Sequence, residues 1–277
     1  TSLLAGLPNA KVVSNLINDD FAANGISCIL DALPSDEHNK ISKSNTNLEN
    51  FCKYLNRNEL LSVAQEGKPL EIDSVVPFFA LNKSYYKNEN LFRFYSSLEG
   101  EKAAEQYPTL FSYASECAEI FFRKKYLRKD MRIEFISEFC HGRECDSKLT
   151  RFHVDRFIPA IKLLYSPMEI GIVQSPFEYV KGSHIIETDS YYQSIKLYDS
   201  RVRVEKDAQD LWSSLPMFDG LLPTKMIMEA NSLYLVATNG LHRRSGFTAS
   251  PENRSFRHMV FIDFYSFFKK TDLMAFI

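Results

Sequence analysis

The sequence predicts an α+β protein in which a mainly β core follows a helical N-terminal layer. Two observations support this fold class. In the first half of the chain apolar residues recur at helical spacing, whereas after residue 129 short apolar runs alternate with polar residues and are separated by turn residues. With 277 residues, 45% of them hydrophobic and 25% charged, the chain is long enough to bury a large core.

The helical signal is clearest over Leu48 to Gln65 and over Gly100 to Leu127, where Pro108 predicts a break or a first turn. The polar run Ser35 to Asn47 is predicted to be a surface loop. No flexible linker divides the chain, so we expect one domain, 1–277. Its helical layer would occupy 1–128 and its β core 129–270.

The strand signal begins at Met131 to Phe139, where apolar and charged residues follow a loose period of two. Further short runs are predicted to be strands: Ala160 to Tyr165, Ile170 to Val173, Ile195 to Leu197, Ser232 to Thr238 and Met259 to Tyr265. Several short strands in one segment favour an antiparallel sandwich or barrel. A long insertion at about 188–225, which contains Trp212, is expected to form a lid.

Composition narrows the possible functions. The net charge of −2 argues against a nucleic-acid partner. The sequence contains no run of about 18 apolar residues, so no membrane span is predicted. The cysteines are odd in number and none has CxxC spacing, which argues against a disulfide framework or a four-cysteine zinc site: Cys28, Cys52, Cys117, Cys140 and Cys145. A reducing, cytoplasmic location is therefore expected.

His153 and Asp155 form the most informative motif. In a strand, residues i and i+2 point to the same face, so the imidazole and the carboxylate would lie side by side. A second histidine from another strand would complete the facial triad of non-haem Fe(II) oxygenases. We favour His242, which follows a predicted strand and the turn at Asn239, over His184, which lies in an apparent turn.

Arg257 stands at the entrance to the last predicted strand. A guanidinium entering a β core needs an anionic partner, because a buried unpaired charge is costly. Its planar fork suits a carboxylate, which either a ligand or another part of the protein can supply.

The order of these motifs resembles the phytanoyl-CoA dioxygenase-like branch of the Fe(II)/2-oxoglutarate-dependent oxygenases. The matching pieces lie within residues 129–266: Phe152-His153-Val154-Asp155, Phe177-Glu178-Tyr179-Val180-Lys181-Gly182-Ser183-His184, Gly240-Leu241-His242 and Arg257. The Gly-Ser-His turn resembles the family's Pro-Gly-Ser-His signature, with Lys181 in place of the proline.

The resemblance implies a double-stranded β-helix, or jelly roll, of the cupin-like type. It implies that His153, Asp155 and His242 bind iron and that Arg257 binds the distal carboxylate of 2-oxoglutarate. Arg254 is the alternative arginine, because it lies three residues earlier. Gly182-Ser183-His184 would then be a structural turn near the site.

The implied activity is hydroxylation of a small-molecule substrate by O₂, with decarboxylation of 2-oxoglutarate to succinate. Asp155 favours hydroxylation over halogenation, because halogenating relatives carry a small residue at that position. Lys162 is expected to face solvent, the alternative being that it assists the 2-oxoglutarate carboxylate. The pair Arg243-Arg244 either meets an anionic substrate or forms a solvated turn. The alternative function is a cupin-like metal-binding or interaction protein that does not use 2-oxoglutarate. Substrate and oligomeric state do not follow from the sequence.

Overall fold

The computed structural model describes residues 13, 16–70, 72, 78–80, 90–122, 132–141, 150, 152, 153, 155, 160–185, 222–247 and 254–264. The predicted strand at Ile195 to Leu197 and the predicted lid with Trp212 lie outside these residues, apart from positions 222–225.

The helices of the described residues lie in the first half of the chain: α1 Asp19–Asn24, α2 Ser35–Tyr54, α3 Arg57–Glu66, α4 Gly100–Gln106 and α5 Pro108–Phe122. Tyr107 separates α4 from α5, as Pro108 predicts. The predicted helix from Leu48 to Gln65 is divided at Asn56, whose side chain accepts hydrogen bonds from two backbone amides of α3. Among the described helices, none is both long and apolar enough for a membrane crossing.

The prediction of a loop over Ser35 to Asn47 is wrong, because this run is part of α2. Its buried face is largely polar. The carboxylate of Glu37 accepts hydrogen bonds from the backbone amides of Thr109 (2.8 Å) and Leu110 (3.4 Å) at the start of α5. A negative charge is favourable at a helix N-terminus, which explains how a polar segment packs as a helix here.

Ten strands are described: β1 Ile26–Ile29, β2 Phe79–Ala80, β3 Leu91–Glu99, β4 Arg132–His141, β5 Ile161–Ser166, β6 Phe177–Val180, β7 Pro223–Met226, β8 Ser232–Ala237, β9 His242–Arg244 and β10 Arg254–Asp263. They form a larger sheet of order β1-β8-β5-β10-β4-β3-β2 and a smaller sheet of order β7-β6-β9. All described pairings are antiparallel.

From β4 onward the chain alternates between the two sheets. A bridge between His153 and His242 extends the smaller sheet, so the order along the chain is β4 (larger), His153 (smaller), β5 (larger), β6 and β7 (smaller), β8 (larger), β9 (smaller) and β10 (larger). This connectivity is that of a double-stranded β-helix, and the predicted fold class is confirmed.

Two further predictions of secondary structure need correction. The first half of the chain is not only helical, because β1, β2 and β3 extend the larger sheet, and β3 pairs with β4 along its whole length. The predicted strand at Ile170 to Val173 is an isolated bridge at Ile170 followed by a 3₁₀ turn, Ile172–Gln174.

The central strands β5, β8 and β10 of the larger sheet bury most residues on both of their faces. Along β10, Phe256, Val260 and Ile262 pack in the cluster shared with the helices, whereas Met259 packs in the second cluster between the two sheets. Positions that alternate along one strand therefore reach two environments: the helix layer and the interior of the jelly roll. Residues on the interior face form the site described next.

Candidate metal centre

His153, Asp155 and His242 converge in the interior of the jelly roll. Each offers one ligand atom, and these atoms lie within 4.8 Å of one another. Asp155 Oδ1 lies 3.5 Å from His242 Nε2 and 3.9 Å from His153 Nε2. Among the described residues, these three side chains form a group with the donor types and spacing that a divalent metal needs.

Backbone hydrogen bonds place all three residues. His153 N donates to His242 O (2.9 Å) and His242 N donates to His153 O (3.0 Å), so the two histidines are direct neighbours on adjacent strands. Asp155 N donates to Thr238 O (2.9 Å), which holds the carboxylate at the same end of the sheet. The i, i+2 spacing of His153 and Asp155 thus brings them together as predicted.

The ring of His242 is oriented by its own turn. Its Nδ1 lies 2.9 Å from Gly240 O, and a carbonyl oxygen only accepts, so Nδ1 carries the proton and Nε2 offers its lone pair to the cluster. The ring also packs 5.3 Å from that of Phe177. The side chain of His242 is 6% exposed, whereas those of His153 and Asp155 are 28% and 19% exposed, so the cluster is reached from the His153 side.

The Gly-Ser-His turn supports the cluster from behind. Ser183 Oγ donates to Val180 O (2.6 Å) and accepts from Leu241 N (2.7 Å), which fixes the residue before His242. His184 does not join the cluster; its Nε2 lies 3.0 Å from Ala22 O. The structure therefore groups His242, and not His184, with His153 and Asp155.

Gly240 is needed for this turn because the Tyr179 hydroxyl occupies the place where a Cβ would be. That hydroxyl donates to Ala237 O (2.9 Å), close to the chain segment that leads to His242. Any larger residue at 240 would displace Tyr179 or the turn.

A cluster of charges lies on the same interior face. In register on neighbouring strands, Glu138 of β4 is flanked by Arg93 of β3 and Arg257 of β10. Its carboxylate lies 3.4 Å from Arg93 Nε and 3.2 Å from Arg257 Nη1. Arg244, two residues after His242, approaches from the smaller sheet to 3.6 Å. Within this cluster one carboxylate faces three guanidinium groups.

In this cluster, ion pairing and burial shift the pKa values of the charged groups in opposite directions. Burial by itself raises the pKa of Glu138, but Arg244, Arg93 and Arg257 together lower it to about 2. Burial also lowers the pKa of Arg257 to about 10, although Glu138 opposes the shift. Both groups are therefore charged at neutral pH, and their mutual contact makes the buried charges tolerable.

The structure distinguishes the two candidate arginines. Arg257 is buried in the interior and donates to Glu138, so the protein itself supplies an anionic partner. Arg254 is exposed and donates to Lys53 O, away from the interior. Arg257 Nε has no hydrogen-bond partner among the described residues.

The pair Arg243-Arg244 is not a solvated turn. Arg244 is buried and donates to Ser175 Oγ (3.1 Å) in addition to its contact with Glu138. Arg243 Nε donates to Glu178 (2.7 Å), and its guanidinium lies 4.2 Å from the centre of the Phe152 ring. Sequence reasoning did not select Glu138, because polar residues that alternate with apolar ones along a strand ordinarily face solvent.

Lys162 was expected to face solvent, and this expectation is wrong. On β5, Ile161 and Leu163 pack toward the helices, and Leu164 packs between the two sheets. Because side chains alternate along a strand, Lys162 shares the interior face with Leu164. Lys162 Nζ donates to Asp155 Oδ2 (2.9 Å), and its side chain is 18% exposed.

Comparison with known proteins gives structural likenesses only. Neither the family models nor the curated proteins that were searched match this chain. Among solved structures, the non-heme alpha ketoglutarate dependent carbocyclase SnoK from nogalamycin biosynthesis is 16% identical, with 91% of this chain and 85% of that chain covered and a TM-score of 0.44. AviO1 from Streptomyces viridochromogenes Tue57 is 14% identical, with 94% and 95% covered and a TM-score of 0.46.

A prolyl-4-hydroxylase of Pseudomonas putida is 11% identical, with 91% of this chain and 98% of that chain covered and a TM-score of 0.44. With TM-scores below 0.5, these likenesses do not decide the reaction of this chain, which has to be inferred from its own side chains.

Proposed function

We propose that this protein is an Fe(II)- and 2-oxoglutarate-dependent dioxygenase that hydroxylates a small-molecule substrate. The observation that carries the proposal is the convergence of His153, Asp155 and His242 within 4.8 Å. Two imidazoles and one carboxylate are the ligand set of non-haem Fe(II) oxygenases, in which the remaining positions stay open for the reactants.

The donor set fits Fe(II) in its details. The hydrogen bond from His242 Nδ1 to Gly240 O leaves Nε2 as the ligand atom, and Asp155 turns Oδ1 toward both histidines. Three neutral or anionic donors on one side leave the other side of a metal accessible. When bound, Fe(II) would supply the oxidation of 2-oxoglutarate by O₂ to succinate and CO₂, with the second oxygen atom entering the substrate.

Arg257 supports the assignment of 2-oxoglutarate as co-substrate. It lies on the interior face, in a cluster where one carboxylate faces three guanidinium groups, and its Nε is available to a further acceptor. A ligand carboxylate would add a second negative charge to this cluster. Arg244, two residues from His242, connects the cluster to the candidate metal ligands.

We further propose a cytoplasmic protein without a nucleic-acid partner. Three of the described cysteines, Cys28, Cys52 and Cys117, form no disulfide, which agrees with a reducing compartment. The slight negative charge of the chain gives no general attraction to phosphate backbones.

The test is an anaerobic titration of the metal-free protein, first with Fe(II) and then with 2-oxoglutarate. A weak visible charge-transfer band should appear only when both are present. His242→Ala should abolish it, whereas His184→Ala should retain it, because His184 contacts Ala22 and lies outside the cluster. Absence of iron binding in the parent protein would contradict the proposal.

A second candidate function is a metal-binding or interaction protein that does not use 2-oxoglutarate. The ion pair between Arg257 and Glu138 favours it, because that arginine already has a protein carboxylate as partner. In this case the titration would give Fe(II) binding without any effect of 2-oxoglutarate.

A further inference from the structure

The two carboxylate oxygens of Asp155 have different neighbours. Oδ1 lies 3.5 Å from His242 Nε2 and 3.9 Å from His153 Nε2. Oδ2 accepts a hydrogen bond of 2.9 Å from Lys162 Nζ. One oxygen therefore faces the candidate metal ligands, and the other is held by a cation on β5 of the larger sheet.

Both residues of this ion pair are held in place by the surrounding structure. Lys162 lies in the middle of the larger sheet, opposite Val236 of β8 and Asp263 of β10 in the strand register. Its Nζ lies 5.8 Å from the centre of the Phe261 ring, so the amine is placed against an aromatic face. At the other end, the Asp155 backbone is anchored to Thr238 O. The ion pair thus joins β5 of the larger sheet to the backbone-anchored Asp155.

We propose that Lys162 is a positioning residue that makes Asp155 a ligand through one oxygen only. The proposal rests on the metal centre proposed above. A carboxylate can bind a metal through one or two oxygens, and binding through two would occupy a position that the co-substrate or O₂ needs. By engaging Oδ2, Lys162 leaves Oδ1 as the ligand atom and preserves three open positions.

The ammonium of Lys162 suits this role because it donates and never accepts. A charge-assisted hydrogen bond to Oδ2 competes directly with a second bond from that oxygen to the metal. An apolar side chain at 162 would remove the competition, and Asp155 would then bind through both oxygens. Arginine at 162 would keep the donor and the charge.

The experiment compares the full-length parent protein with Lys162→Met and Lys162→Arg, each loaded with Mn(II). The number of metal-bound waters is measured from the broadening of the Mn(II) paramagnetic resonance signal in ¹⁷O-enriched water. The parent and Lys162→Arg should hold three waters and Lys162→Met two. The affinity of the Mn(II) form for 2-oxoglutarate should fall by about tenfold in Lys162→Met, which is the lower end of the loss in metal affinity or activity that follows removal of a metal ligand's partner.

The water count separates positioning from a merely structural role. If Lys162 only stabilised the fold, Lys162→Met would lower the thermal unfolding temperature and retain three waters, which would overturn the proposal. Two waters in the parent would overturn it as well. A parent protein that binds no Mn(II) or Fe(II) would instead overturn the metal centre itself. Should Lys162→Met fail to fold, Lys162→Leu offers a second apolar variant.

Discussion

Around Glu138 and Arg257, the two faces of β4 and β10 are both buried but differ in chemical character. Toward the helices, Phe135, Val260 and Ile262 form an apolar cluster. Toward the smaller sheet, Glu138 and Arg257 form part of a network of charges. Because adjacent residues on one strand reach both environments, burial alone does not identify the site. The partners of each buried side chain do.

Two buried histidines make the same point. His258 lies on the helix-facing side, 0% exposed, and contacts the rings of Phe78 and Phe135. Burial lowers its pKa to about 3, so it is a neutral core residue. His242 is 5% exposed but faces the carboxylate of Asp155. A neighbouring carboxylate, rather than depth, distinguishes a candidate ligand from a core histidine.

The largest effect on stability is expected from Glu138→Ala. Removing the carboxylate leaves three guanidinium groups close together in the interior, and breaking a buried ion pair costs about 3–5 kcal/mol. Glu134→Ala is a matched control on the same strand, because Glu134 pairs with the half-exposed Arg132, and should cost at most about 1 kcal/mol. Urea unfolding measures both variants, and equal losses would contradict the contrast between buried and exposed pairs.

Arg257→Ala should raise the 2-oxoglutarate concentration needed for half-saturation by about tenfold or more, since a hydrogen bond to a charged group contributes about 1.5–3 kcal/mol. Arg254→Ala should leave it unchanged, because Arg254 is exposed and donates to Lys53 O. Anaerobic calorimetry of the metal-loaded protein measures both variants. The reverse result would transfer the role to Arg254.

His258→Phe tests the helix-facing side through its pH dependence. The folded state keeps His258 neutral down to about pH 3, whereas the unfolded histidine titrates near its ordinary pKa of 6.5. Below pH 6.5 only the unfolded state takes up this proton, so the parent loses stability as the pH falls. Between pH 7 and pH 5.5 the parent should lose about 1 kcal/mol more than the variant. Equal losses in urea unfolding would show that His258 is not held neutral.

Sequence reasoning reached the candidate ligands because their signal is local. His153 and Asp155 lie at strand spacing, and His242 follows a predicted strand and a turn. Each position could therefore be predicted from residues close to it in the sequence. The structure brings the three together, while their role as ligands stays a proposal. The jelly roll followed from the resemblance and is confirmed by the alternation of strands between the sheets.

Contacts between distant segments could not be read in this way. Arg93, Glu138, Arg244 and Arg257 lie on four strands, and only the pairing register of the larger sheet and the approach of β9 bring them together. The contact of Lys162 with Asp155 likewise joins a strand of the larger sheet to a residue outside the strands. The first part of α2, Ser35 to Asn47, was missed because Glu37 stabilises its packing by accepting hydrogen bonds from the backbone of another helix.

The smallest effect is expected from Ser137→Ala, on the helix-facing side. Ser137 and His258 are paired in register on β4 and β10, and the hydroxyl is hydrogen-bonded to His258 Nδ1. Both side chains are fully buried, so losing this neutral hydrogen bond should cost about 1 kcal/mol.

In the His258→Phe background the Ser137 hydroxyl has no ring nitrogen to bond, so Ser137→Ala should cost less there than in the parent. Urea unfolding of the two single variants and the double variant measures this coupling. Additive losses would show that the two residues act independently. If the coupling free energy is close to the stability loss of Ser137→Ala alone, the Ser137 hydroxyl contributes to stability only through its hydrogen bond to His258. Removing it then leaves the surrounding apolar cluster intact, whereas removing Glu138 leaves three charges to be accommodated.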